Sequence, residues 1–285
     1  MAKERTRQPK RQVKLRAPKT RKHIANEPKS LKSYKDRYIK RLNDLHVGTQ
    51  ITVTALIARQ EQLERKNDQN SYHHFVVPSG GSRPEARIRR DKKQMASLLS
   101  RMAGQEEYGK SLMLAVSITE DYLANILKLM LRAYPERLER GLKNGPSDAE
   151  IHLGELLRKS KEEILEDWVR SRILSAIYAS PSAYLRYTKH VLEIEIDQSV
   201  MFAFVEAKAT RDVLVHSQGI VDQRYLEKAT NRARAKTGEP ITIDKSYFGS
   251  SLATMKALIM GIHDAVQHRY ADEQAVIAQL PNFLK

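Results

Sequence analysis

The sequence contains no cysteine. That absence removes disulfides, zinc–thiolate sites, iron–sulfur clusters and thiol nucleophiles, and it suits a reducing compartment. Long apolar runs are missing as well. The longest lies around Leu112–Ile118, in a segment interrupted by Ser117 and Glu120, far short of the roughly 18 residues a membrane span needs. No apolar stretch follows the basic N-terminus, as it would in a secretory signal. A soluble, cytoplasmic protein with no membrane partner is expected. Acidic residues are scarce at one end only. Residues 1–40 hold 15 Lys and Arg against 3 Asp and Glu, whereas the other 245 hold 35 against 31. Most of the net charge of +16 therefore sits in a polycationic head on a nearly balanced body.

The length of 285 residues allows one large domain or two small ones with tails, and it suffices for a real core without staples. Residues 1–30 almost lack large apolar side chains, and Pro9, Pro18 and Pro28 punctuate their Lys and Arg. Such a segment cannot bury enough surface to offset its ordering entropy. It reads as a disordered basic tail. Its short basic runs, Lys10-Arg11 and Arg21-Lys22, would attract RNA through counterion release without choosing a sequence.

A first helix is expected over Leu31–His46, with Tyr34, Tyr38, Leu42 and Leu45 on one face. Residues 51–57, ITVTALI, are β-branched and read as a short strand or a helical turn. Residues 66–88 read as a loop with a short strand at His74–Val77. From Lys92 onward the pattern is helical: Leu112, Val116, Thr119, Leu123, Ile126/Leu127 and Met130 recur at steps of three and four. Pro135 and Asn144-Gly145-Pro146 mark a break. Asp148 is the expected N-cap of a second long helix reaching Ile177. Pro181 suits the first turn of a third, which tolerates a missing N–H. A fourth helix spans Gln198–His216 and stops at Ser217-Gln218-Gly219. After a loop with Gly238 and Pro240, a last helix covers Phe248–Tyr270. The fold class is all-α, a helical bundle in three parts: a disordered tail at 1–30, a small irregular region with one helix and loops at 31–108, and a helical domain at 109–285.

Metal chemistry has little to draw on. There is no HExxH, His73-His74 are adjacent, and His263 and His268 stand about 140° apart around a helix. Glu162, Glu163, Glu166 and Asp167, beside Lys159 and Lys161, read as a salt-bridged wet face. Gly80-Gly81-Ser82-Arg83 lacks the setting of a phosphate loop. No Gly-x-Ser-x-Gly turn offers a serine nucleophile. No cofactor and no metal site are expected.

One segment stands apart. At the end of an otherwise apolar helix, Arg211, Asp212 and His216 come together. Asp212 and His216 are four residues apart and share a face, so the carboxylate could hold the imidazole. The helix C-terminus favours the charged ring as well. Arg211 brings a forked cation suited to phosphate oxygens. A titratable ring beside a phosphate clamp is the minimum equipment for phosphodiester cleavage without metal. Arg211 and His216, however, point about 140° apart on an ideal helix. They converge if the helix loosens at His216, or if a second copy supplies the partner groups.

Residues 206–225, EAKATRDVLVHSQGIVDQRY, resemble the signature helix and following turn of the HEPN superfamily. Its nuclease members carry an Arg, then a polar residue, then a His a few positions on. The upstream AVSITEDYLANIL at 115–127 is similar to family members too. Asp212 stands where Asn is commoner. The resemblance covers roughly residues 109–270 and leaves the first hundred unexplained. It implies a homodimer whose two Arg-x4-His helices face each other. In many members such a site is a metal-independent endoribonuclease, in which the RNA 2′-hydroxyl attacks the adjacent phosphate. On that pattern His216 is the general base or acid, Arg211 stabilises the transition state and Asp212 orients His216, with Glu120 and Glu206 supporting them. Many members are toxins or phage-defence effectors held by a cognate inhibitor or antitoxin. Others have lost catalysis and bind RNA, nucleotides or protein partners. Three functions follow as expectations: an endoribonuclease, a non-catalytic RNA- or nucleotide-binding module, and a helical interaction scaffold.

Overall fold

The computed structural model describes residues 30–65, 72–81, 84–139, 158–273 and 276–279. The expected basic tail, with Lys10, Arg11, Arg21 and Lys22, lies outside the described residues, as does the expected cap Asp148.

Among the described residues the molecule is all-α apart from one hairpin. Helix α1 spans Leu31–Arg65. It opens where the Ser30 hydroxyl accepts the Ser33 N–H at 3.1 Å, and it runs straight through ITVTALI. Of the two readings of that segment, strand or helical turn, the helical one holds: Val53 is buried, and the Thr49 hydroxyl meets the Ser111 hydroxyl at 2.7 Å. Packing on a neighbouring helix overrides the extended preference of β-branched residues. Strands β1, His73–Pro78, and β2, Glu85–Arg90, then pair antiparallel. The expected short strand at His74–Val77 thus exists, with a partner that the charged sequence EARIRR concealed.

Helix α2, Lys92–Arg101, starts at a reciprocal cap between Asp91 and Gln94. One π-turn at Met102–Glu106 joins it to α3, Glu107–Ala133. Fifteen of the 27 residues of α3 are buried, including every member of its predicted apolar series. A helix apolar on nearly all sides belongs at the centre of a bundle. Around α3 pack α1, α4 (Lys161–Tyr178), α5 (Pro181–Leu192), α6 (Gln198–His216) and α8 (Lys245–Tyr270). The short α7, Gln223–Ala229, lies against α6.

Caps explain the boundaries. Helix α4 begins at Ser160, whose hydroxyl accepts the Glu163 N–H while Glu163 reaches back. Residues 158–160 are not helical, so the expected second long helix is described only from Lys161 on. Ser180 caps α5, with Pro181 in its first turn. Asp197, Asp222 and Asp244 cap α6, α7 and α8. Each such cap is worth about 1 kcal/mol. Helix α6 stops where predicted: Gln218 and Gly219 take positive φ, and the Gly219 N–H returns to the Val213 carbonyl at 3.1 Å. The acidic face of α4 is salt-bridged as expected, through Arg132–Glu166 and Lys159–Asp167.

The main apolar core runs from Leu31 to Val276, and Leu63, Met95 and Leu99 form a small second cluster where α1 meets α2. Between α1 and α3, Tyr122 stacks on Tyr34 and meets Tyr38 edge-on. The segment expected to be irregular therefore contributes a 35-residue helix to the same core as the rest. Among the described residues, no helix is long and apolar enough to cross a membrane.

Candidate functional site

The C-terminal half of α6 faces a cleft of about 390 Å³, closed by Glu120 of α3, the end of α4 at Tyr178, and α7. The sequence places it there for a simple reason. Helix α6 buries Phe204, Val205, Ala207, Ala209 and Val213, which fixes its rotation and leaves Lys208, Arg211, Asp212 and His216 along the cleft.

Charges alternate across this cleft. Glu120 takes Lys208 on one oxygen and the Arg211 Nη2 at 3.0 Å on the other. Arg211 Nη1 reaches Asp212 at 2.9 Å, and the second Asp212 oxygen meets Lys228 Nζ at 3.0 Å. The chain Lys208–Glu120–Arg211–Asp212–Lys228 holds three cations against two carboxylates, and Arg224 adds a fourth cation at the rim. Lys208 is buried, with its ammonium 5.8 Å from the Tyr184 ring centre. Burying such a pair costs desolvation, so its members must stay paired. The Arg211 Nε is buried with no partner. The guanidinium thus keeps one unused donor in the middle of a fixed network. Asp222, also on the cleft, is held below the usual carboxylate range, chiefly by the Tyr225 N–H that it accepts as the α7 cap.

His216 is exposed at the mouth, and among the described residues it has no hydrogen-bond partner. The expected Asp212–His216 contact is not formed. Asp212 has two cations within 3 Å, and these outcompete an imidazole four residues away. The 140° between Arg211 and His216 does not keep them apart, because the long Arg211 side chain and the helix-end His216 line the same cleft. Of the five residues expected in the body, the structure thus brings four to one place: Glu120, Arg211, Asp212 and His216.

Glu206 is elsewhere. It is 6% exposed and sits on another face of α6. Thr210, Tyr225 and Tyr247 hydroxyls donate to it at 2.7, 2.9 and 2.7 Å, and Arg234 Nε at 3.0 Å. Arg234 lies flat over Tyr247, 3.4 Å from the ring centre, and also donates to the Thr242 carbonyl. Burial pushes the Tyr247 and Tyr225 phenols up, and the Glu206 charge adds to this. Glu206 is the anchor that ties the 217–244 connection to α6. In the same connection, Ile220 bridges Pro240, and Ile241 N–H bonds the Gly219 carbonyl at 2.8 Å.

Sequence reasoning missed Lys208, Arg224, Lys228 and Tyr178. Lys208 was legible, since it precedes Arg211 and Asp212 by three and four residues. Lys228 and Arg224 were not, because they reach the cleft only after the chain reverses at residues 217–222. Among the described residues, no group of three His, Asp or Glu is placed to hold a metal ion. No family model, curated protein or solved structure matches the chain, so the geometry of the cleft is what bears on its function.

Proposed function

We propose that the protein is a cytoplasmic endoribonuclease of HEPN type that acts without metal as a homodimer. The observation that carries this reading is the unpartnered imidazole of His216 opening into the cleft that holds Arg211. One imidazole takes the proton of an RNA 2′-hydroxyl. That oxygen bonds to the adjacent phosphorus, and the bond from phosphorus to the 5′-oxygen breaks. The departing oxygen takes its proton from the imidazolium of the second copy. The products are a 2′,3′-cyclic phosphate and a 5′-hydroxyl. Arg211, which lines the cleft, stabilises the charge that develops on the phosphate. Tyr178 on the cleft and Val215 next to His216 in sequence, 85% and 50% exposed, supply apolar surface for a second copy to cover. The basic sequence of residues 1–30 attracts RNA through counterion release. Such an enzyme suits a toxin or phage-defence effector restrained by an inhibitor protein.

The test is cleavage of an RNA oligonucleotide in EDTA with the product ends identified. Cyclic phosphate and 5′-hydroxyl ends are expected, and strict dependence on a divalent ion overturns the reading. A second reading, RNA binding without cleavage, draws on the contact that His216 lacks: Asp212 is engaged by Arg211 and Lys228 and does not orient the ring. Binding with no product under any condition would select it.

A further inference from the structure

The β1–β2 hairpin takes no part in the cleft, yet its surface is chemically specific. Side chains alternate along paired strands. The register places His74 opposite Arg89 and Val76 opposite Arg87, with Tyr72 one step before β1 on the same side. All five of these residues are exposed; on the other face His73, Val77, Ala86 and Arg90 are half-buried, with Phe75 and Ile88 between them exposed at 40% and 37%. One face is therefore covered at its ends only, and the other is open along its length. On the outer face the Arg89 guanidinium lies over the Tyr72 ring, 4.7 Å from its centre. Neither Arg87 nor Arg89 has an ion pair among the described residues. The acid on this face is Glu85, at the turn end opposite Pro78, and the next one along, Asp91, is taken up by the α2 cap.

The hairpin also stands at a telling place. The Thr49–Ser111 contact and the approach of Leu214 to Gly109 put the start of α3, the middle of α1 and the His216 end of α6 at one end of the bundle. From there α1 continues to Arg65 and, through Glu64, holds Lys92 beside β2. About fifteen residues at 1.5 Å each make this reach roughly 20 Å.

We infer that the outer face of the hairpin, Tyr72, His74, Arg87 and Arg89, is a docking surface for single-stranded RNA flanking the cleft. Unneutralised guanidinium groups bind phosphates, and a ring with a stacked guanidinium offers a flat platform to an unpaired base. A duplex hides its base faces, and an acidic peptide brings charge without rings. The inference rests on the proposed RNA substrate for its choice of polymer.

The experiment uses the full chain carrying His216→Ala, so that the probe survives, and follows the anisotropy of a short fluorescein-labelled oligouridylate across a salt series. Arg87→Gln with Arg89→Gln should weaken binding about tenfold and lower the salt slope by about 1.4, two phosphate contacts at about 0.7 each. Tyr72→Leu should weaken binding about fivefold or more and leave the slope alone, because stacking releases no counterions. Wild-type affinity and slope in both variants overturn the inference, as does equal displacement of the probe by polyglutamate. If the hairpin variants lose binding while the wild-type chain never cleaves RNA, the docking surface stands and the nuclease falls. If the wild type cleaves while the hairpin variants bind as it does, the reverse holds.

Discussion

Glu206 and Asp212 are two carboxylates six residues apart on one helix, with opposite surroundings. Glu206 is closed in. Three hydroxyls and a guanidinium donate to it, and those partners come from α6, α7, α8 and the loop between the last two. Asp212 is open on one side, held by two cations that line a cleft. The closed group has its hydrogen-bonding capacity used up and can only hold structure. The open group belongs to a network with a surplus cation and an unpartnered imidazole beside it. Capacity left unused is what a ligand can take up, and it separates a reactive site from an anchor better than charge does.

The widest gap between the two regions should appear at His216. His216→Ala should lower single-turnover RNA cleavage by about 10²–10⁴-fold and leave thermal stability unchanged, since the ring is exposed and unbonded. A large fall in melting temperature would break the comparison from the cleft side. Glu206→Ala should do the opposite. Removing it leaves Arg234 with an unpaired charge beside buried hydroxyls, and urea unfolding should register a loss of about 3–5 kcal/mol. Near-wild-type stability would show that Glu206 is no anchor.

A smaller effect sharpens the contrast within the cleft. Asp212→Asn keeps the shape but frees Arg211 and Lys228 of one competitor for phosphate. Cleavage should slow less than about tenfold, while RNA affinity rises a few-fold; weaker binding would mean that the carboxylate positions the cations. The mildest effect concerns a buried polar group outside both regions. Burial, aided by the Lys35 charge, holds His263 below the usual histidine range, against the opposing pull of Asp264 and Asp36. The unfolded chain takes up this proton as pH falls below about 6.5, whereas the folded chain resists. Stability from this group is therefore full above that pH and declines as pH falls toward the folded-state value, by at most about 1.4 kcal/mol per unit. His263→Gln should flatten the slope of urea stability between neutral and mildly acidic pH; an unchanged slope would assign it to other groups.

Much of this was legible before the structure. The three- and four-residue recurrence in α3 and α8 reports burial directly, and the Gln198–His216 helix declares its end through Ser217-Gln218-Gly219. Arg211 and His216 stood out because they interrupt an apolar helix. The rest depended on tertiary context. ITVTALI has a strand's composition but a helix's neighbours. The seven residues of α7 are too few to show a period, so Lys228 could not be placed. The spacing of Asp212 and His216 permits a contact that two cations within reach prevent. Glu206 looks like any helical acid until Arg234, 28 residues later, closes over it.

The 217–244 connection carries a consequence for how such a protein can diversify. Its closure relies on main-chain bonds: Val221 with Glu239, Gly238 with Val221, and Ile241 with Gly219. Bonds of that kind do not depend on which side chains stand between them. Arg224 and Lys228, carried on α7 inside this clasp, can therefore be exchanged by single substitutions while the clasp keeps its shape. Descendants of this chain can inherit the helix that bears Arg211 and His216 unaltered and still vary the charge of the opposite wall.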